Sequence, residues 1–251
     1  MSFRAVALDL FDTLVRWSPD RLPRFRFREH EFPSTMPHLI ELLGPRLGTA
    51  WDQEKWCEGY FTVLHEISAE REKRGIEVTC ETRFDRALAR FGMEAVTERG
   101  ALASILAREH MKHVRAVTSA PPENVAIVRR IAERYRLALV SNFDDGETGR
   151  AIVEDTGLAS HFETILISAD LEIRKPNPKI FHRLLADLGL EASEVLFVGD
   201  TPREDVAGAQ GVGMPIAWLD DGRKALPEGM RRPDYVLPNL VGLSTVLSLD
   251  G

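Results

Sequence analysis

Four polar residues, Asp9, Ser141, Lys175 and Asp200, stand at the predicted ends of successive apolar segments. In open α/β sheets, ligands bind outside the carboxyl ends of the strands. If the strands are parallel neighbours, two carboxylates, a hydroxyl and an ammonium group therefore meet at one edge of the sheet. Such a set can attack an electrophilic centre, stabilise developing negative charge and bind a divalent cation.

Asp9 is the candidate nucleophile, because a carboxylate at a strand end can attack phosphorus or carbon and form a covalent intermediate. Taken alone, an Asp here is more typical of a turn, but Thr13 and the later groups favour the catalytic interpretation. The hydroxyl of Ser141 can donate a hydrogen bond to an oxyanion, although Ser is also a common helix cap. Asn142 either caps the next helix or contacts substrate, and both alternatives stay open.

Lys175 lies in a short motif with prolines on its carboxyl side, Arg174-Lys175-Pro176-Asn177-Pro178. An ammonium group at the sheet edge can neutralise charge on both the nucleophile and the transferred group. Arg174 is the competing cation, and the position of Lys175 relative to the other groups favours Lys175.

The second acidic element is Gly199-Asp200, with Asp205 five residues after Asp200. Mg²⁺ is a hard cation that commonly takes one or two carboxylates, so Asp200 and Asp9 are candidate ligands. Asp205 either orients Lys175 or a water on the metal, or it caps the helix predicted to follow it.

Apolar segments that alternate with amphipathic helical segments predict a parallel, doubly wound sheet. The predicted strands are 5–8, 137–140, 164–167, 195–198, 215–219 and 235–237. Residues 33–117 carry four amphipathic helical stripes, and alternating basic and aromatic residues at 24–28 predict a hairpin. We therefore expect an α/β fold with its Rossmann-like core in 1–15 and 118–251, and with a flap hairpin and an α-helical cap inserted at 16–117.

The chain has 251 residues and a formal net charge of −7. An acidic balance argues against a nucleic-acid partner. No apolar stretch approaches the roughly 20 residues of a membrane span, and no signal peptide is visible. We expect a cytoplasmic monomer or homodimer that acts on a small molecule. Its two cysteines, Cys57 and Cys80, are too few for a disulfide framework and are expected to be reduced.

Together these motifs resemble the signature of the haloacid dehalogenase superfamily, and in particular its dehalogenase-like branch. The resemblance covers residues 1–15 and 118–235, and the helical block lies where one class of this family inserts a cap. It implies that Asp9 is the nucleophile, that Thr13 stabilises its loop and the bound oxyanion, and that Ser141 and Lys175 hold the transferred group. The implied Mg²⁺ ligands are Asp9, the main-chain carbonyl of Phe11, and Asp200.

The chain departs from the family's phosphatases at Phe11. Those enzymes usually read Asp-x-Asp-Gly-Thr, and the second Asp protonates the leaving group and activates water. Such acid–base help is typically worth about 10²–10⁴-fold in rate. Asp12 occupies the usual Gly position, and we consider two roles for it: a substitute acid that reaches the leaving-group oxygen by another path, or a turn residue.

A Mg²⁺-dependent phosphatase of a small phosphorylated metabolite is the favoured function. The first alternative is a 2-haloacid dehalogenase, because the family's dehalogenases carry an aromatic residue at the position of Phe11. They need no metal, however, and lack the Gly199-Asp200 pair. A second alternative is a non-catalytic relative that binds a phosphometabolite or a partner protein. Cleavage of a carbon–phosphorus bond through a Schiff base on Lys55 is disfavoured, because Phe11 is bulkier than the small residue expected there.

Overall fold

The computed structural model describes residues 3–249. Its strands are β1 (Ala5–Leu8), β2 (Arg16–Trp17), β3 (Arg24–Phe27), β4 (His30–Pro33), β5 (Thr118–Ser119), β6 (Arg136–Ser141), β7 (Phe162–Ile167), β8 (Val195–Gly199), β9 (Ile216–Leu219) and β10 (Tyr235–Leu237). Its α-helices are α1 (Met36–Leu47), α2 (Gln53–Arg74), α3 (Cys80–Phe91), α4 (Val96–Ala116), α5 (Pro122–Ala132), α6 (Gly146–Asp155), α7 (Ser168–Leu171), α8 (Pro178–Leu188), α9 (Ala207–Gly211) and α10 (Leu243–Val246).

The chain divides into two compact units. Unit 1 holds the described residues of Met1–Trp17, Gly75–Glu77 and Ser119–Gly251, and unit 2 holds Ser18–Arg74 and Val78–Thr118. Gly75–Glu77 belongs to unit 1 although it lies between two helices of unit 2 in the sequence. None of the helices within residues 3–249 is long and apolar enough to span a membrane.

Unit 1 is built on a six-stranded sheet with the strand order β10-β9-β8-β1-β6-β7. Every strand pair in it is parallel, so the predicted α/β, doubly wound architecture is confirmed. Strand β1 lies between β6 and β8, and Leu8 is in register with both Leu139 and Val198. Asp9, directly after β1, therefore lies at the middle of the carboxyl edge of the sheet.

The apolar runs of the central strands are explained by burial of both sheet faces. Successive side chains of a strand point to opposite faces, and in β1 Val6 and Leu8 join one hydrophobic cluster while Ala5 and Ala7 join another. All four are fully buried. A parallel sheet covered on both faces is expected to have continuous rather than alternating hydrophobicity.

Unit 2 consists of the β3–β4 hairpin and the helices α1–α4. The hairpin is antiparallel, with Phe25 opposite Phe32. In the helical part, Trp56 and Phe84 are fully buried. Lys55 on α2 lies with its ammonium nitrogen 5.2 Å from the ring centroid of Phe91. Cys57 and Cys80 are both buried and are not joined in a disulfide.

Candidate active site

A tight loop follows β1 and fixes the position of Asp9. The main-chain nitrogens of Leu14 and Val15 both donate to the carbonyl of Leu10 at 2.9 Å, and the nitrogen of Asp12 donates to the carbonyl of Val15 at 2.7 Å. Asp12 has a φ of 57°, a left-handed conformation that Asp tolerates better than most residues. The main-chain nitrogen of Asp9 donates to the carbonyl of Val198 at 2.9 Å, which ties the loop to β8.

Lys175 brings a buried positive charge to this carboxylate. Its Nζ donates to Asp9 Oδ1 at 2.6 Å and to Asp205 Oδ1 at 2.7 Å, and its side chain is only 1% exposed. The prediction that Lys175 directly follows a strand is wrong: β7 ends at Ile167, and the turn of α7 intervenes. Its side chain nevertheless reaches the carboxyl edge of the sheet, where Asp9 lies.

The side chain of Asn142 holds the main chain of Lys175 in place. Its Nδ2 donates to the carbonyl of Lys175 at 2.9 Å, and its Oδ1 accepts from the nitrogen of Lys175 at 2.8 Å. The helix that follows, α6, is capped by Asp145, whose side chain accepts from the nitrogen of Thr148. Asn142 therefore does not cap that helix, whereas its contact with substrate stays a prediction.

Glu77 is a further supporting residue, and sequence reasoning missed it. Its carboxylate, 1% exposed, accepts from Ser168 Oγ at 2.7 Å and lies 3.6 Å from Arg174. The main chain beside it pairs with the segment before Lys175, because Ile76 forms an isolated β-bridge with Ile173. Glu77 thus anchors the loop that carries Lys175.

Asp205 lies against the end of β8 and supports Lys175. Its Oδ2 accepts from the main-chain nitrogen of Thr201 at 2.9 Å, while its Oδ1 binds Lys175. A Cβ at Gly199 would lie 2.3 Å from Asp205 Cγ, so only glycine fits before Asp200. Of the two roles considered for Asp205, the contact with Lys175 is the one present in the structure.

Two buried hydroxyls in unit 1 have no hydrogen-bond partner within residues 3–249: Thr13 Oγ1 and Ser141 Oγ. Thr13 lies in the loop after β1, and Ser141 ends β6, the neighbouring strand. A buried polar group without a partner costs about 1–3 kcal/mol of stability. Hydroxyls left in this state, in the loop after β1 and at the end of the neighbouring strand, are suited to donate to the oxygens of a bound anion.

Burial and mutual repulsion set the charges of the site. Burial raises the pKa of Asp9 to about 8, because desolvation together with repulsion by Asp205 and Asp200 outweighs the opposing effect of Lys175. Burial likewise raises the pKa of Asp205, against the lowering effect of Lys175. Burial alone would lower the pKa of Lys175, but the carboxylates of Asp205 and Asp9 raise it well above its usual range.

The donor set of this site fits a hard divalent cation. Asp9, Asp200 and Asp205 each offer a carboxylate oxygen, and these oxygens lie within 4.8 Å of one another. The side chain of Asp205 is 1% exposed and is held by Lys175 and the main chain, whereas those of Asp9 and Asp200 are each 10% exposed, which leaves Asp9 and Asp200 as the better ligands. Two carboxylates suit Mg²⁺, and a nearby divalent charge would favour ionisation of Asp9 despite its burial.

Phe11 and Asp12, the two residues that depart from the usual phosphatase motif, contact different neighbours. The ring of Phe11 packs on Phe143, with ring centroids 4.9 Å apart. The carboxylate of Asp12 lies 3.4 Å from Arg223. Lys224, the next residue, forms an ion pair with Asp200. Sequence reasoning missed both cations, although they follow β9 at the same edge of the sheet.

Comparison with known proteins places these observations in a family. The model of the haloacid dehalogenase-like hydrolases matches residues 63–219. A phosphoserine phosphatase of Thermus thermophilus is 36% identical over 102 residues, which cover 40% of this chain and 41% of that protein. A pyrimidine 5′-nucleotidase of Escherichia coli is 31% identical over 128 residues, which cover 50% of this chain and 56% of that protein. The chain thus spans about half the length of these curated relatives.

A solved structure extends the similarity to nearly the whole chain. The 2-haloacid dehalogenase of Pseudomonas syringae pv. tomato DC3000 is 25% identical and superposes with a TM-score of 0.72. The match covers 99% of this chain and 100% of the dehalogenase chain. The matched family model spans more than half of the chain, and the parallel sheet with its carboxyl-edge cluster agrees with it. The chain belongs to the haloacid dehalogenase-like hydrolase family.

Proposed function

We propose that this protein is a Mg²⁺-dependent phosphatase of a small phosphorylated metabolite. The observation that carries the proposal is the pair of buried, unpartnered hydroxyls, Thr13 Oγ1 and Ser141 Oγ, on the strand and loop ends that flank Asp9. A tetrahedral phosphoryl group offers several acceptor oxygens, so it can satisfy both hydroxyls while its phosphorus faces a carboxylate. The acidic cluster that fits Mg²⁺ supports the same function.

The proposed reaction has two steps. A carboxylate oxygen of Asp9 attacks phosphorus, the ester oxygen leaves, and an aspartyl-phosphate forms; water then hydrolyses it and restores Asp9. Lys175 neutralises charge on Asp9 and on the transferred group, while Asp205 and Asn142 hold Lys175 in position. Mg²⁺, held by Asp9, Asp200 and the main-chain carbonyl of Phe11, would supply positive charge that stabilises the transferred phosphoryl oxygens.

The relatives support phosphate-ester chemistry without identifying the substrate. The names of the Thermus and Escherichia proteins are those of phosphatases acting on phosphoserine and on pyrimidine nucleotides. Each match covers about half of the chain or less, and what the two relatives share is the reaction class, hydrolysis of a phosphate ester.

Hydrolysis of p-nitrophenyl phosphate by the purified protein tests this function. We expect turnover with Mg²⁺, none with EDTA, and none for Asp9→Asn with Mg²⁺, because the variant keeps the shape of the side chain but loses the nucleophile. Turnover that survives EDTA, or that Asp9→Asn retains, would contradict the proposal. Thermal unfolding of wild type and variant controls for loss of fold.

The absence of an acid at Phe11 predicts a strong dependence on the leaving group. Because the Phe11 side chain can donate no proton to the departing oxygen, aryl and acyl phosphates should exceed alkyl phosphates in kcat/KM, by up to about 10²–10⁴-fold. A series of esters with graded leaving-group pKa measures this. If Asp12 substitutes for the acid, Asp12→Asn will slow alkyl phosphates most. A preference of the wild type for alkyl phosphates would overturn the prediction.

One observation favours 2-haloacid dehalogenation as a second candidate. The aromatic pair of Phe11 and Phe143 lies beside the loop of Asp9, and apolar surface of this kind can enclose a halogen. The Pseudomonas structure that covers 99% of the chain carries that activity in its name. In this reaction Asp9 would attack carbon and release halide. Halide release from 2-haloacids in EDTA, lost in Asp9→Asn, would support it.

A further inference from the structure

The loop after β9 brings a second ammonium group to the acidic cluster. Lys224 Nζ forms an ion pair with Asp200 and donates to Thr201 Oγ1 at 2.9 Å. Its neighbour Arg223 lies 3.4 Å from the carboxylate of Asp12. The carboxylate that is best placed to bind a metal together with Asp9 therefore already carries a cation from its own chain.

The two lysines divide the carboxylates between them. Lys175 binds Asp9 and Asp205 at 2.6 and 2.7 Å, and Lys224 binds the third, Asp200. Three carboxylates thus face two ammonium groups. A divalent cation on Asp9 and Asp200 would add two positive charges directly beside Lys224, and like charges this close repel.

Lys224 is held far less firmly than Lys175. Its side chain is 39% exposed, whereas that of Lys175 is 1% exposed. It lies outside the helices and strands, two residues after Gly222, whose φ is +81°. An exposed lysine can move its ammonium group into water at little cost. Lys224 can therefore leave Asp200 when another cation binds that carboxylate.

We propose that Lys224 is an intramolecular cation that competes with the divalent metal for Asp200. In the metal-free protein its ammonium group neutralises the carboxylate, and on metal binding it moves from Asp200 to solvent. This inference rests on the metal site of the proposed function. It assigns to the loop after β9 a role in setting metal affinity. Lys224 weakens metal binding, and it neutralises Asp200 when no metal is bound.

Calorimetric titration of Mg²⁺ into four proteins tests the competition. Relative to wild type, Lys224→Met should bind Mg²⁺ about tenfold more tightly, a change equivalent to about 1.4 kcal/mol. Lys179→Met removes the same charge from an exposed position of α8 and should bind as wild type does. Asp200→Asn should lose the binding. The competition would be overturned if wild type binds Mg²⁺ and Asp200→Asn does not, but Lys224→Met binds it no more tightly than wild type. The metal-dependent function would then still stand.

A second measurement follows the lysine itself and needs no activity. Limited acetylation with an N-hydroxysuccinimide ester, read by peptide mass spectrometry, reports how free each ammonium group is. Saturating Mg²⁺ should raise the modification of Lys224 severalfold and leave that of Lys179 unchanged. Unchanged modification of Lys224 at saturating Mg²⁺ would overturn the inference. Absence of Mg²⁺ binding in every protein would overturn both the competition and the metal-dependent function.

Discussion

Replacing Lys175 by Met is expected to lower the free energy of unfolding of the metal-free protein by about 3–5 kcal/mol. The ammonium group is 1% exposed and binds Asp9 and Asp205 at 2.6 and 2.7 Å. Met has a similar length and no charge, so the variant keeps the packing on Phe197, whose ring centroid lies 5.4 Å from Nζ. What it loses is the charge that compensates two buried carboxylates.

The loss should depend on pH in a defined direction. Lys175 lowers the pKa of both Asp9 and Asp205, so its removal raises both further. A carboxyl group whose pKa is higher in the folded than in the unfolded protein stabilises the fold most at low pH, and that stability is lost as the pH rises toward the folded pKa. For Asp9 in the wild type this window runs from its ordinary value of 3.8 to about 8.

At about pH 6.5 Asp9 keeps its proton in both folded proteins. Above about 8 it is ionised in the folded wild type, whereas the higher pKa in Lys175→Met keeps it protonated, so the variant continues to lose stability as the pH rises. The deficit of Lys175→Met should accordingly be larger at about pH 9.5 than at about pH 6.5. Urea unfolding in EDTA at the two pH values measures it, and turnover should fall by at least about 10²–10³-fold. Lys224→Met is the matched control, because it removes an ammonium group from the same cluster at a 39% exposed position; it should cost at most about 1 kcal/mol. Equal stability of Lys175→Met and wild type at about pH 9.5 would contradict the argument.

The core strands could be predicted because burial on both sheet faces leaves a plain signal. Residues 5–8 and 195–198 are continuous apolar runs, and β1 and β8 occupy these segments. Alternation with helices then indicated a parallel sheet, and a parallel sheet gathers the carboxyl ends of its strands at one edge. The neighbourhood of Asp9 and Asp200 follows from that rule alone.

The position of Lys175 could not be derived in the same way. The chain makes one more helical turn after β7 and then runs through Glu172, in a left-handed conformation with φ 54°, before it reaches Lys175. The fit depends on contacts far apart in the sequence, namely Asn142 on the main chain of Lys175 and Glu77 on Arg174. No local pattern distinguishes a Glu that is buried by such a contact from the exposed majority.

The sequence carries only a weak indication that Arg223 and Lys224 belong to the site. Both stand shortly after β9, whose carboxyl end shares the edge with β1 and β8. The segment Asp220-Asp221-Gly222-Arg223-Lys224 reads as an ordinary charged loop, because most charges in loops are solvated. Only the ion pair with Asp200 separates Lys224 from that majority, and its formation depends on tertiary structure.

Because the hydroxyls of Ser141 and Thr13 have no protein partner within residues 3–249, we expect their removal to weaken anion binding without lowering the stability of the fold. Ser141→Ala should leave the free energy of unfolding unchanged or raise it by about 1 kcal/mol, because it removes a buried group that has no protein partner. The same variant should bind inorganic phosphate and orthovanadate about 10- to 100-fold more weakly, since a hydrogen bond to a charged group is worth about 1.5–3 kcal/mol. Thr13→Val, which keeps the shape of the side chain, should behave alike.

Ser168→Ala is the matched control for Ser141→Ala. Both serines are fully buried, but Ser168 Oγ donates to Glu77 at 2.7 Å and accepts from the nitrogen of Phe143 at 2.9 Å. Its removal leaves a buried carboxylate short of a donor and should destabilise the fold by about 1–3 kcal/mol. Urea unfolding and inhibition constants for phosphate and orthovanadate measure the contrast. A Ser141→Ala variant that loses as much stability as Ser168→Ala, and still binds the anions as wild type does, would show that the hydroxyl serves the fold and not a ligand.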